Sequence, residues 1–117
     1  MIEQLIGRVF YARNVAHWNH WRTKSYSEHK ALGNFYSDVI DAVDALVEVY
    51  QGVNGLVGAI PAPTNMPTDI LELLKADAKW IEGHHEDVCK GNRAIANQID
   101  GVTAVYLTTV YKLENLK

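Results

Sequence analysis

The strongest constraint on the fold is the spacing of apolar residues, which recur every three or four positions through most of the chain. One segment shows the pattern without a gap: Leu32, Tyr36, Val39, Val43, Leu46 and Tyr50. Because an α-helix has about 3.6 residues per turn, this spacing places all six on one helix face. The pattern predicts a helix over residues 28–51 whose apolar face packs against other helices.

Three further segments show the same spacing. The first covers residues 3–22 and places His17 on a stripe with Phe10 and Trp21. The others cover residues 70–88 and 95–116, and the sequence Gly91-Asn92 separates them. Four amphipathic segments in one chain predict an all-α fold in which the helices bury their apolar faces against one another.

The segment between the second and third helices is rich in helix breakers. Residues 52–67 contain three glycines and all three prolines of the chain. A connection of this length can run from one end of a helix bundle to the other and join parallel helices. Ser27 is a candidate N-cap for the second helix, and Thr68 or Asp69 for the third. Residues 1–117 are therefore expected to form a single domain, a four-helix bundle with a long crossover between helices two and three.

Composition excludes several classes of protein. Hydrophobic residues make up 48% and charged residues 21%, which is typical of a compact core rather than a disordered chain. No apolar run reaches the length of about 18 residues expected of a membrane span, so a membrane partner is not expected. The single cysteine, Cys89, excludes an internal disulfide and is typical of the cytoplasm. A net charge of −3 does not favour nucleic acid as a partner.

Four residues with metal-binding side chains are spaced along the first two helices. His29 follows His17 by twelve positions, Asp44 follows His29 by fifteen, and Glu48 follows Asp44 by four. Imidazole nitrogen and carboxylate oxygen together suit iron, manganese or zinc. Since a helix rises about 1.5 Å per residue, His29 and Asp44 lie roughly 22 Å apart, too far for one ion within one chain.

These residues instead suggest two half-sites. His17 and His29 flank the turn between the first two helices, where antiparallel packing could bring them together. Asp44 and Glu48 lie one helical turn apart and form a carboxylate pair. A two-fold dimer with antiparallel second helices would bring the histidine pair of each copy to the carboxylate pair of the other. The expected partner is therefore a second copy of this chain.

The same pattern resembles the Dps family of mini-ferritins. The resemblance rests on His17-Trp18-Asn19, on His29 and on the Asp44-x-x-x-Glu48 step, and it is strongest over residues 12–50. It implies a ferritin-like four-helix bundle and a ferroxidase centre between subunits, with His17, His29, Asp44 and Glu48 as iron ligands. It also implies oxidation of Fe(II) to Fe(III) by peroxide or dioxygen, iron sequestration and assembly into a larger cage.

One departure from that family motivates an alternative. The family usually places an acidic residue four positions after the second histidine, and this chain has Gly33 there. A glycine supplies no metal ligand and weakens a helix by about 1 kcal/mol relative to alanine. The alternative function is a catalytically inactive structural or interaction bundle.

A second metal hypothesis arises from the third helix. Glu82 and His85 form a Glu-x-x-His step, by which ferritin-like di-iron bundles place two ligands on one helix. Either of two pairs would complete such a site within one chain: Asp44 with Glu48, or His17 with His20. Paired steps are the usual di-iron pattern, and this chain has one, so an exposed histidine-rich helix end is the simpler interpretation of His84 and His85.

Overall fold

The computed structural model describes residues 1–117, and every regular element in it is a helix. The helices are α1 (Ile2–Arg22), α2 (Tyr26–Asn54), α3 (Ile70–Gly83), α4 (His85–Cys89) and α5 (Arg93–Asn115). The prediction of an all-α fold is confirmed. None of the helices combines the length and apolar character needed to cross a membrane.

Pairs of residues on neighbouring helices give the helix directions. Asn54 at the end of α2 and Asn92 before α5 line one surface pocket, whereas Asp38 and Lys112 line another, so α5 runs opposite to α2. Lys75 of α3 pairs with Glu114, late in α5, and Asp77, two residues further along α3, bonds with Tyr106, eight residues earlier in α5. Helix α3 therefore also runs opposite to α5. Helices α2 and α3 are therefore parallel, and the long connection over residues 55–69 returns the chain from the end of α2 to the start of α3.

The helix ends differ from the sequence-based expectations in two places. Ser25, not Ser27, caps α2, because its hydroxyl accepts a hydrogen bond from the Glu28 backbone amide at 3.2 Å. Asp69 caps α3 as expected. The helix predicted over residues 70–88 is interrupted at His84, which follows the poor helix former Gly83 and leaves the helical conformation.

The buried face of α1 is not the stripe that contains His17. The fully buried side chains are Leu5, Val9, Ala12 and Ala16, which also recur at three- and four-residue steps. Phe10 and Trp21 are 43% and 66% exposed. Two alanines on the buried face give α1 a narrow apolar stripe, so the bulky side chains beside it remain at the surface.

A buried carboxylate joins three helices. Asp77 of α3 is fully buried, and it accepts hydrogen bonds from Nη1 of Arg8 on α1 and from the hydroxyl of Tyr106 on α5, both at 2.9 Å. Burial raises the pKa of Asp77 from 3.8 to about 6, although both hydrogen bonds oppose the shift. The Arg8 guanidinium also lies 4.7 Å from the ring centroid of Trp80, a cation–π contact.

The crossover packs directly on the first turns of α1. A Cβ atom at Gly7 would collide with the carbonyl oxygen of Pro61, so only glycine lets the two backbones approach this closely. Nearby, the Glu3 carboxylate accepts a hydrogen bond from the Gly58 amide at 2.8 Å. These contacts hold the crossover against α1.

The buried network predicts an unequal response to removal of two tyrosine hydroxyls on α5. Tyr106→Phe should lower the free energy of unfolding by about 2 kcal/mol, because the buried Asp77 carboxylate loses one of its two donors. Tyr111→Phe is the matched control, since Tyr111 is 56% exposed. Its effect should stay within about 0.5 kcal/mol. Equal effects in urea unfolding would contradict the role assigned to the network.

Candidate metal centre on the outer face of α1 and α2

Three histidines cluster where α1 ends and α2 begins. The rings of His20 and His29 are stacked, with centroids 3.7 Å apart and planes inclined by 18°. Nδ1 of His20 donates to the carbonyl oxygen of His29 at 2.6 Å, and Nδ1 of His29 donates to that of His20 at 2.8 Å. Because a carbonyl can only accept, each neutral ring keeps the lone pair on Nε2, the arrangement typical of metal-binding histidines.

His17 lies beside this pair in a different environment. Its ring stacks on Tyr36 with centroids 3.9 Å apart and lies 4.5 Å from the Trp21 ring. Partial desolvation lowers the pKa of His17, and the charges of Arg13 and His20 act in the same direction. The His17 side chain forms no hydrogen bond, whereas each of the other four histidines forms at least one: His20, His29, His84 and His85. His17 therefore favours the neutral form, in which one ring nitrogen has a lone pair that can bind a metal ion.

Gly33 makes room for the His20 ring. A Cβ atom at position 33 would lie 3.1 Å from Cε1 and 3.2 Å from Nδ1 of His20, closer than ordinary van der Waals contact. Position 33, where the Dps family has an acidic residue, is thus covered by the imidazole of His20. The sequence alone indicates only that Gly33 supplies no ligand. The contact with His20 is missed because the spacing of residues along α2 does not show which side chain of α1 packs against Gly33.

Asp44 and Glu48 lie further along the same face of the molecule. Both are exposed, and neither takes part in any of the four ion pairs of the chain. They border an open groove of about 440 Å³ whose other lining residues are apolar: Ile6, Phe10, Val43, Val47, Val57 and Ile60. The groove places two free carboxylates next to an uncovered apolar surface.

Charge is distributed unevenly along this face. Three basic residues lie at or near the turn between α1 and α2: Arg22, Lys24 and Lys30. The acidic residues of the second half of α2 are all exposed: Asp41, Asp44 and Glu48. One end of the face is therefore basic and rich in histidine, and the other end is acidic.

The predicted ligands do not converge within one chain. His29 stacks on His20, and His17 lies about one helical turn earlier on α1, where it packs on Tyr36. The set of His17, His29, Asp44 and Glu48 stays a prediction, since it requires a second copy. The alternative in-chain site built on Glu82 and His85 is not formed, because the three-donor cluster that contains His85 consists of His85, Glu86 and Cys89.

The packing of His20 on Gly33 predicts a difference between two glycine-to-alanine changes. Gly101 of α5 has no neighbouring atom within 4 Å of a built Cβ, so Gly101→Ala should raise the free energy of unfolding by about 0.5–1 kcal/mol. Gly33→Ala should be less stable than Gly101→Ala by about 1 kcal/mol or more, because the stacked and hydrogen-bonded His20 ring must move. Equal gains in thermal unfolding would show that the His20 ring is not held in place.

Comparison with known proteins gives a family. The model of a family of unknown function, DUF5856, matches residues 20–113. The uncharacterized 14.6 kDa protein in the mobD-ri intergenic region of Enterobacteria phage T4 is 26% identical over 113 residues, which cover 95% of this chain and 86% of the relative. No solved structure matches. These matches extend over most of the chain and neither is to the Dps family, so the assignment made from a few spaced residues is wrong. The chain belongs to the DUF5856 family of unknown function.

Proposed function

We propose that the protein is a homodimer that binds a transition metal, most suitably iron, between the α1–α2 faces of its two copies. The observation that carries the proposal is the presence of two incomplete donor sets on one face. His17 and His29 lie at one end, and Asp44 and Glu48 lie at the other, roughly 22 Å away along α2. The first set supplies imidazole nitrogens but no carboxylate oxygen, and the second supplies carboxylate oxygens but no imidazole nitrogen.

The helix directions support a ferritin-like four-helix bundle as the framework. Helices α2 and α3 run in parallel and are joined by one long crossover, which is the connectivity of ferritin-like bundles. In such a framework α1 and α2 form one outer layer, and the opposite side of α1 is held by the Arg8–Asp77 pair. The α1–α2 face is thus left uncovered in the single chain.

The charges of the α1–α2 face favour a second copy of this chain as the partner that covers it. With the two α2 helices antiparallel, the basic turn of one copy lies opposite the acidic half of α2 in the other. The same arrangement is isologous, so each copy gives and receives the same contacts and two equivalent sites form. It also covers the exposed rings of Phe10 and Trp21, whose burial favours association.

The donor atoms suit iron(II). His29 offers Nε2 because its Nδ1 is held by the carbonyl of His20, and the two partner carboxylates offer hard oxygens. Manganese and zinc accept the same donors. With Fe(II) as the substrate and peroxide or dioxygen as the oxidant, such a site would support a ferroxidase reaction and iron sequestration. The aromatic rings of Tyr36 and Trp21, which contact His17, would lie beside the ion.

Mixing two defective chains tests whether a site is shared between copies. One chain carries His17→Ala with His29→Ala, and the other carries Asp44→Ala with Glu48→Ala. Each alone should lose Fe(II) binding in anaerobic titration and oxidation on admission of air. A mixed dimer contains one intact site, so free exchange of subunits should restore about a quarter of the wild-type capacity.

The control for the acidic variant is Asp38→Ala with Asp41→Ala, which removes two exposed carboxylates from the same helix without touching the proposed ligands. It should bind Fe(II) as the wild type does. Circular dichroism and sedimentation verify that each variant is folded and dimeric. Failure of the mixture to bind would contradict a site shared between copies. A wild-type dimer that binds none of Fe(II), Mn(II) or Zn(II) would instead support the inactive interaction bundle.

A further inference from the structure

A compact group of three different donor atoms occupies the single-turn helix α4. The Cys89 sulfur lies 3.8 Å from Nδ1 of His85 and 3.5 Å from Oε2 of Glu86. All three donor atoms lie within 4.8 Å of one another, and no other group of this kind exists in the chain. The cluster shares no residue with the α1–α2 face.

These separations match the distances between neighbouring ligand atoms in a tetrahedral metal site. With zinc–sulfur bonds of about 2.3 Å and zinc–nitrogen or zinc–oxygen bonds of about 2.1 Å, tetrahedral geometry separates sulfur from either of the other ligands by about 3.6 Å. The two measured sulfur separations, 3.8 and 3.5 Å, lie on either side of that value. An ion can therefore contact all three donors with little movement.

Asp100 of α5 orients the imidazole for this purpose. Nε2 of His85 donates to Oδ1 of Asp100 at 2.9 Å. Because the carboxylate can only accept, the neutral ring has its proton on Nε2 and its lone pair on Nδ1, the atom nearest the Cys89 sulfur. A carboxylate bound to the far nitrogen of a histidine is the usual outer partner of a metal-binding imidazole.

The backbone holds the three donors in place. Lys90 and Gly91 both adopt positive φ angles, 48° and 77°, and turn the chain sharply after Cys89. The Lys90 amide donates to the Glu86 carbonyl at 2.7 Å, and the Asn92 amide donates to the Cys89 carbonyl at 2.9 Å. Cys89 is buried and Glu86 is exposed, so an ion would be anchored from the protein side and would be reachable from solvent.

We infer that His85, Glu86 and Cys89 form a second metal site of the thiolate–imidazole–carboxylate class, suited to Zn²⁺, with Asp100 as a positioning residue. A thiolate ligand selects zinc over magnesium, calcium or manganese. On binding, the Cys89 thiol gives its proton to the buffer, so affinity falls as the pH is lowered. The fourth coordination position is left to water or to a small anion.

Co²⁺ is a suitable probe, because thiolate ligation gives it a sulfur-to-metal charge-transfer band in the near ultraviolet. The full chain carrying His17→Ala and His29→Ala is titrated, so that the α1–α2 site does not contribute. The expected result is one Co²⁺ per chain with this band, and displacement of Co²⁺ by Zn²⁺. Cys89→Ser should abolish the band, and Asp100→Asn should weaken Zn²⁺ binding by about 10- to 100-fold.

Asp87→Asn is the matched control, since Asp87 is an exposed carboxylate of the same helical turn outside the cluster. It should leave Zn²⁺ affinity unchanged. If Cys89→Ser does not fold, Glu86→Gln removes a ligand at an exposed position and should weaken binding on its own. The absence of a charge-transfer band in the chain with an intact cluster would overturn the inference, as would Zn²⁺ affinity that is equal with and without the Cys89 thiol. Neither result bears on iron binding at the α1–α2 face.

Discussion

The buried carboxylate of Asp77 is the point at which α1, α3 and α5 are held together. Removing an ion from water costs several kcal/mol unless it is paired and hydrogen-bonded, and Arg8 and Tyr106 supply those bonds. Arg8 and His17 are nine residues apart, which is about 180° around a helix. The network therefore fixes one side of α1 against the rest of the molecule and directs the side that carries His17 towards α2 and solvent.

That uncovered side explains the combination of residues on it. Gly33 admits the His20 ring, the ring stacks on His29, and reciprocal hydrogen bonds between the two histidines and their carbonyl groups fix both rings. The carboxylates of Asp44 and Glu48 lie beside an apolar groove and have no ion-pair partner. The oriented imidazoles, the free carboxylates and the apolar surface on one face are the observations on which the proposed metal site between two copies rests.

The sequence predicted the helices and the crossover well, because both follow from local rules. Apolar spacing marked each long helix, and the prolines and glycines of residues 52–67 marked the crossover. Features that depend on tertiary contacts were not predicted. These include the pairing of Asp77 with Tyr106, the contact of His20 with Gly33 and the convergence of Glu86 and Cys89. The assignment to the Dps family failed because it rested on a few residues with metal-binding side chains, whereas the DUF5856 model and the phage relative match most of the chain.

Anomalous diffraction at the iron absorption edge, from crystals grown anaerobically with Fe(II), tests the shared metal site most directly. The account predicts two equivalent iron peaks per dimer. Each peak should lie between His17 and His29 of one copy and Asp44 and Glu48 of the other. Peaks bounded by residues of a single chain, or a dimer interface that leaves the imidazoles of residues 17 and 29 in solvent, would contradict it.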